Sequence, residues 1–306
     1  MIVYRELSSL EKDLGVSKST LYKLSNRIKF HYHKTEIPKK NGGTRILSVP
    51  SEELRAVQRK IADVILCNEP VSIHATAYRY GSSTVFNASP HVNKDIVLNL
   101  DILHFFDSIL FSEVKDKVFP AEKYSEQIRT LLSILCYHKD SLPQGAPSSP
   151  AITNIIMRDF DDTVGKWCKN KNIAYTRYCD DMTFSGNFDV KEVIGFIKTQ
   201  LRKNGFLLNT AKTRVSRNNK RQSVTGIVVN EKLSIPAEYK RKLRQEIYYC
   251  NKFGINSHMA RLDFDGNEIS YINHLLGRIN YVLSVTPDDK QMLDGKKLLL
   301  GMLAYY

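Results

Sequence analysis

Apolar residues recur along this chain in two rhythms, and the changes of rhythm mark where strands give way to helices. Leu7, Leu10 and Leu14, then Leu21 and Leu24 after Gly15, predict two short helices broken at that glycine, the second capped by Ser17. The pair has the form of a helix-turn-helix, a plain packing unit in many proteins and a DNA reader in some. Apolar runs flanking Asn41-Gly42-Gly43 predict a hairpin over residues 36–50. Behind Ser51, the spacing Leu54, Val57, Ile61, Val64, Ile65 predicts an amphipathic helix. Residues 75–92 are polar and turn-rich. Val97-Leu98-Asn99-Leu100-Asp101-Ile102 then reads as a buried strand with an acid at its end, followed by two aromatics, Phe105 and Phe106, expected in the core.

The second half repeats the alternation. A helical stretch over 122–137 leads to a loop rich in Pro, Gly and Ser, 142–150, and to a helix near Ala151. Ile173 to Tyr178 and Met182 to Ser185 predict a short hairpin with Cys179, Asp180 and Asp181 at its turn. Asp189 and Glu192 fit a helix N-cap and its partner, Val190, Val193, Ile194, Ile197 and Leu201 form one apolar face, and Gly205 closes the helix. Short strands follow at 206–209 and 224–229, and beyond Pro236 the pattern is helical. There is no internal repeat or low-complexity segment.

Composition narrows the partners. With 306 residues, 42% of them hydrophobic, the chain can bury a sizeable core in one to three domains. A net charge of +13 points to a polyanion, most simply nucleic acid, unless the basic surface serves only solubility. Residues 191–222 carry nine Lys or Arg against one acid, Glu192. Five widely separated cysteines with no Cys-x-x-Cys pair predict reduced thiols in a cytoplasmic protein, without zinc or disulfides. The first residues lack a signal peptide's apolar core, and no stretch approaches a membrane span.

The chemistry centres on Tyr178-Cys179-Asp180-Asp181. Adjacent acids are common in solvated turns, but like charges held together on a rigid hairpin call for a cation, and Asp101 ends another apolar strand. Three carboxylates on neighbouring strands could hold two Mg²⁺ ions, which take oxygen ligands and leave room for substrate phosphates. Such a pair of ions serves nucleotidyl transfer. Lys39, Lys40 and Arg45 would project from the first hairpin, either as a solvated edge or as a grip on a triphosphate. Gly145 permits close backbone approach and Gln144 can hydrogen-bond a ligand. Lys240, Arg241 and Arg244 lie among Tyr239, Tyr248 and Tyr249, a mixture suited to RNA contact or to a solvated helix face.

Taken in order, Asp101 with Phe105-Phe106, Leu142-Pro143-Gln144-Gly145-Ala146-Pro147-Ser148-Ser149-Pro150, Tyr178-Cys179-Asp180-Asp181, and Gly205-Phe206-x-x-Asn209 with Lys212 resemble reverse transcriptases. Asn87-Ala88-x-x-His91 and Val224-Thr225-Gly226 resemble the marks of bacterial retron reverse transcriptases, from which Cys179 departs where Ala is frequent. The resemblance implies an α+β right-hand polymerase. Its fingers would take 1–90 and 112–146, its palm, an antiparallel sheet carrying the acids, 91–111 and 147–233, and its helical thumb 234–306. It implies Asp101, Asp180 and Asp181 as catalytic acids, with Ile102 joining them around two Mg²⁺. Phe105 would be the steric gate against a ribose 2′-OH, with Phe106 beside it. Lys39 or Lys40 with Arg45 would hold the triphosphate of a dNTP, Gln144 and Gly145 would line its site, and Lys212 would act near the phosphates. Asn87, His91, Val224, Thr225 and Gly226 would recognise RNA. The implied activity is RNA-directed DNA synthesis on a cognate noncoding RNA (msr-msd), primed from a guanosine 2′-OH to give branched msDNA, in anti-phage defence with a toxic effector protein. The alternatives are a group II intron-like or diversity-generating reverse transcriptase, or a non-catalytic RNA-binding subunit.

Overall fold

The acid-bearing runs become neighbouring strands. The structure, a computed structural model, describes residues 3–38 and 42–305. Strands β1 (Tyr32–Pro38) and β2 (Thr44–Pro50) pair antiparallel with Pro38 opposite Thr44, forming the expected hairpin. Lys39 and Lys40, assigned to a triphosphate grip, lie outside the described residues. Four further strands, β3 (Ile96–Leu103), β4 (Ala174–Tyr178), β5 (Asp181–Gly186) and β6 (Leu207–Leu208), assemble in the order β4-β5-β3-β6. The β4–β5 register sets Tyr178 opposite Asp181, leaving Cys179 and Asp180 as the two-residue loop.

In this sheet β3 and β5 are buried along almost their whole length: β3 is nearly all apolar, as a strand covered on both sides tends to be, whereas β5 alternates the apolar Met182 and Phe184 with the buried polar Thr183 and Ser185. The helices Arg158–Asn170 and Val190–Lys203 pack against it and against each other through Trp167 and Phe196, stacked at 4.1 Å. Helix ends follow the expected chemistry. Ser17 and Ser51 each accept a backbone N–H of the first turn, and Gly15 takes the left-handed conformation that ends the first helix. The region read as turn-rich contains a short helix, Thr84–Ala88, capped by Ser83, followed by a 3₁₀ turn, Ser89–His91.

The chain divides into two compact units, Met1–Ser82 with Leu98–Arg214, and Ser83–Val97 with Val215–Tyr306. The segments expected in fingers and those bearing the acids share the first core. Residues 83–97 and 215–233 fall instead with the C-terminal helices, because Ala88, Val97, Val224, Ile227 and Val229 bury against Leu243, Leu275 and Ile279. The second unit is built on helices Ala237–Phe253, Ile255–Leu262, Glu268–Val285 and Lys290–Leu303, the last two capped by Asn267 and Asp289. An ion pair between Arg278 and Glu246, 2.6 Å long and about one-fifth exposed on each side, ties the first of these helices to the third.

One close approach under the sheet is sensitive to a single methyl group. A Cβ on Gly165 would stand 2.0 Å from Nε2 of His74, whose Nδ1 lies 3.1 Å from the Tyr175 carbonyl. Gly165→Ala should therefore cost about 1–3 kcal/mol by overpacking, read as a lowered Tm. His74→Ala in the same chain should recover part of the loss, and unchanged melting of the single variant would contradict this packing.

Candidate active site

Asp101 lies near the end of β3, and the β4–β5 turn reaches it through the backbone: the Ile102 N–H donates to the Asp180 carbonyl at 3.1 Å. Thus segments nearly eighty positions apart in the sequence meet, and Asp101, Asp180 and Asp181 share one end of the sheet. Asp101 is only 4% exposed. Its carboxylate accepts from Asn209 Nδ2 at 2.9 Å and from Lys212 Nζ at 2.7 Å, while the Asn209 N–H donates to its carbonyl at 2.8 Å. Asn209 is therefore an anchor of the strand that carries Asp101, a role the sequence alone did not reveal. The signal available was its spacing from Lys212, which a three-residue 3₁₀ turn, Thr210–Lys212, converts into two donors for one carboxylate.

The site carries more negative charge than its surroundings neutralise. Asp181 remains open to water at its surface, yet its carboxyl is pushed up to about 6, first by the surrounding protein mass and then by Asp180 and Asp101. Lys212 and Arg214 pull the other way without cancelling the effect. The hydrogen bond to Asp101 is the main reason that the Lys212 ammonium is held more firmly charged, with Asp180 and Asp181 adding to it. Among the described residues no three His, Cys, Asp or Glu side chains are already gathered around one point, and the cation on Asp101 is Lys212. The crowded, hard carboxylate oxygens nevertheless fit Mg²⁺. Ile102 has no ligating side-chain atom, so its backbone carbonyl is the only oxygen it could offer.

Several of the residues expected around a nucleotide are joined through backbone hydrogen bonds. The Leu142 N–H donates to the Phe106 carbonyl at 3.2 Å, and the Ser48 N–H of β2 donates to the Gln144 carbonyl at 3.0 Å. Gly145, at φ 122°, passes so near the hairpin that a Cβ would lie 3.1 Å from the Ser48 carbonyl oxygen. Arg45 is exposed on the same hairpin, opposite Ile37. Of the aromatic pair, Phe105 is buried at 3% exposure between Phe106 and Phe206, packed in the core and away from the surface. Phe106 is half-buried and is the more exposed of the two rings.

In the second unit several residues expected to touch RNA are enclosed. Asn87 is 1% exposed, with its Nδ2 3.3 Å from the Thr225 hydroxyl, and His91 and Val224 are fully buried. Burial, and then Lys94, push the His91 imidazole down to about 3, so it is neutral. Asn87 and Val224 flank the turn at Thr225 and Gly226, both with positive φ, and of these residues only the turn itself reaches the surface. Lys240 is engaged with Asp289 at 3.2 Å and Arg244 with Gln291, whereas Arg241 is exposed.

The Asp181 shift has a measurable sign. A carboxyl that holds its proton more tightly folded than unfolded favours the fold fully below about pH 4, and this contribution fades as pH rises past about 6. With EDTA present at pH 8, Asp181→Asn should melt above the wild type by roughly 2 °C, equivalent to about 1 kcal/mol once screening at this open site is allowed for. The gap should close near pH 4. Equal melting at both pH values would contradict the crowding of carboxylates.

A family model described as reverse transcriptase (RNA-dependent DNA polymerase) matches residues 37–232. The Retron Mx65 reverse transcriptase of Myxococcus xanthus is 30% identical, covering 95% of this chain and 71% of its own length. The Retron Ec86 and Retron Ec83 reverse transcriptases of Escherichia coli are 30% and 31% identical, covering 92% and 89% of this chain and 85% and 89% of theirs. A solved telomerase from Candida albicans aligns more loosely, at TM-score 0.46 and 11% identity, over 88% of this chain and 62% of its own. With the matched segment taking in both strands that carry the three acids, and the retron relatives spanning most of its length, this chain belongs to the reverse transcriptases, RNA-directed DNA polymerases, and among them to the retron enzymes.

Proposed function

We propose that this reverse transcriptase makes msDNA by copying part of a cognate structured noncoding RNA (msr-msd), extending from the 2′-OH of an internal guanosine. The observation that carries the reading is the meeting of Asp101 with the Asp180–Asp181 turn, bound by the Ile102 N–H and served by Lys212. Asp101, Asp180 and Asp181, with the Ile102 carbonyl, would hold two Mg²⁺. Bound magnesium makes the attacking hydroxyl easier to deprotonate and offsets charge on the departing pyrophosphate.

The chain's own residues supply the rest. Lys212 presents an ammonium beside Asp101, positioned to meet phosphate charge or to give a proton to the leaving group. Phe106, the more exposed of the pair, would exclude a ribose 2′-OH, with Phe105 packed against it from the core. Arg45, with Lys39 or Lys40, would bind the triphosphate of a dNTP, while the Gln144–Gly145 backbone, fastened to Ser48, fixes the floor of that site. In finger, palm and thumb terms, the first unit would supply fingers and the acid-bearing palm, and the C-terminal helices the thumb. The Thr225–Gly226 turn and Arg241 would meet RNA. Defence against phage, with msDNA and enzyme restraining a toxic effector, is the physiological role this reading carries. No helix among the described residues is long and apolar enough to cross a membrane.

Asp180→Asn and Asp181→Asn should each lower primer extension by more than about a thousandfold, roughly 4 kcal/mol of transition-state stabilisation. Melting should stay within a few degrees of the wild type and RNA affinity within a few-fold. Extension at a tenth of the wild-type rate or more would contradict the assignment. Nucleic acid co-purified from the native host should carry a 2′–5′ branch on sequencing; an unbranched cDNA would point to intron-like or diversity-generating priming.

A further inference from the structure

The turn that presents Asp180 and Asp181 is not held by its own sequence. Cys179, its first loop residue, sits at φ 61°, in a region that side chains with a Cβ disfavour and that hairpins normally fill with Gly or Asn. Something outside the loop must keep it there. The Ile102 N–H holds the Asp180 carbonyl from β3. The Cys179 carbonyl is held from below by Arg177, whose NH1 donates to it at 2.9 Å.

Arg177 is an unusual residue for that place. Its side chain is wholly inaccessible to water, where an apolar residue would fill the space without the desolvation cost of a charge. The guanidinium is fully committed. Nε and NH2 reach the two Asp161 carboxylate oxygens at 2.8 and 2.6 Å, and NH2 also reaches the Asn154 side-chain oxygen at 3.3 Å. Asp161 is locked in turn by the Tyr175 hydroxyl at 2.8 Å. Asp161 stands on the helix Arg158–Asn170 and Asn154 on the helix Ser149–Ile156, so one planar fork ties two core helices to one carbonyl of the loop. Asn154 also donates to the Ala77 carbonyl at 2.8 Å, so the same network reaches the segment that precedes Tyr78. The loop is thereby fixed at its two carbonyls, that of Cys179 by Arg177 and that of Asp180 by Ile102.

We propose that Arg177, oriented by Asp161 and Asn154, is a positioning residue for nucleotidyl transfer: it holds Cys179 in the left-handed conformation and so aims Asp180 and Asp181. Buried ion pairs seldom stabilise a fold beyond an apolar replacement, and their best-attested use is to specify one arrangement. The inference rests on the reading of Asp180 and Asp181 as the catalytic acids.

Two substitutions separate position from stability. Arg177→Lys keeps the charge beside Asp161, but a single ammonium cannot serve both the carboxylate and the Cys179 carbonyl. Arg177→Met with Asp161→Leu removes both charges together. In primer extension on a homopolymer template with Mg²⁺, each should lower kcat at least thirtyfold, leave KM for the dNTP within threefold, and raise the Mg²⁺ concentration needed for half-maximal rate. Tm should stay within a few degrees. Cys179→Gly, which relieves the left-handed strain, should restore at least tenfold of the activity lost in Arg177→Lys, a rescue that a purely structural role would not give. A kcat within threefold of the wild type in either variant overturns the proposal. So does failure of both to fold, which would assign Arg177 to stability. Asp180→Asn run in parallel distinguishes the causes: if it is active, the reading of the acids fails; if it is inactive while the Arg177 variants work, this inference alone fails.

Discussion

Repulsion among three carboxylates is the constraint around which the first unit is arranged. Left to themselves, Asp101, Asp180 and Asp181 would move apart or hold protons, and Asp181 does hold its proton more tightly than a free carboxyl. They stay together because each sits on backbone fixed elsewhere. Asp101 is in a strand buried on nearly every side, and the Asp180 turn is hydrogen-bonded to that strand. Stability given up at one point in this way marks a candidate functional site rather than a packing position.

The sequence made this much legible because strands and turns leave local signals. Val97 to Ile102 and Ile173 to Ser185 are short apolar runs, and an Asp-Asp loop between two of them has few other readings. The caps Ser17 and Ser51 were equally plain, since one side-chain oxygen three residues before an orphan N–H is a local event. That Asp101 would meet Asp180 was not local: it rested on reading the two apolar runs as neighbouring strands, and on the ordered motifs.

What the sequence concealed depends on burial. Phe105 and Phe106 are adjacent and chemically identical, and only the core distinguishes the enclosed ring from the accessible one. Asn87 and His91, polar residues in a turn-rich stretch, look like contacts for a partner, yet they are packed inside and bonded within the second unit. Arg177 hides for the opposite reason. A basic residue in a strand reads as solvent-facing, and its partner Asp161 lies sixteen positions away on a helix, beyond any spacing rule for strands. Compact units were hidden as well, because Val97 and Val224 look like palm strands until their common core with Leu243 and Leu275 is seen.

The central claim is spatial: two distant segments enclose one cation site. Iron(II) substituted for magnesium, with ascorbate and peroxide, cuts a polypeptide beside the bound ion, and the fragment ends can be mapped by mass spectrometry. The account predicts cuts clustered around residues 101 and 180 in the same preparation, both suppressed by excess Mg²⁺ and both lost in Asp101→Asn. Cuts at one segment only, at neither, or indifferent to Mg²⁺ would contradict it.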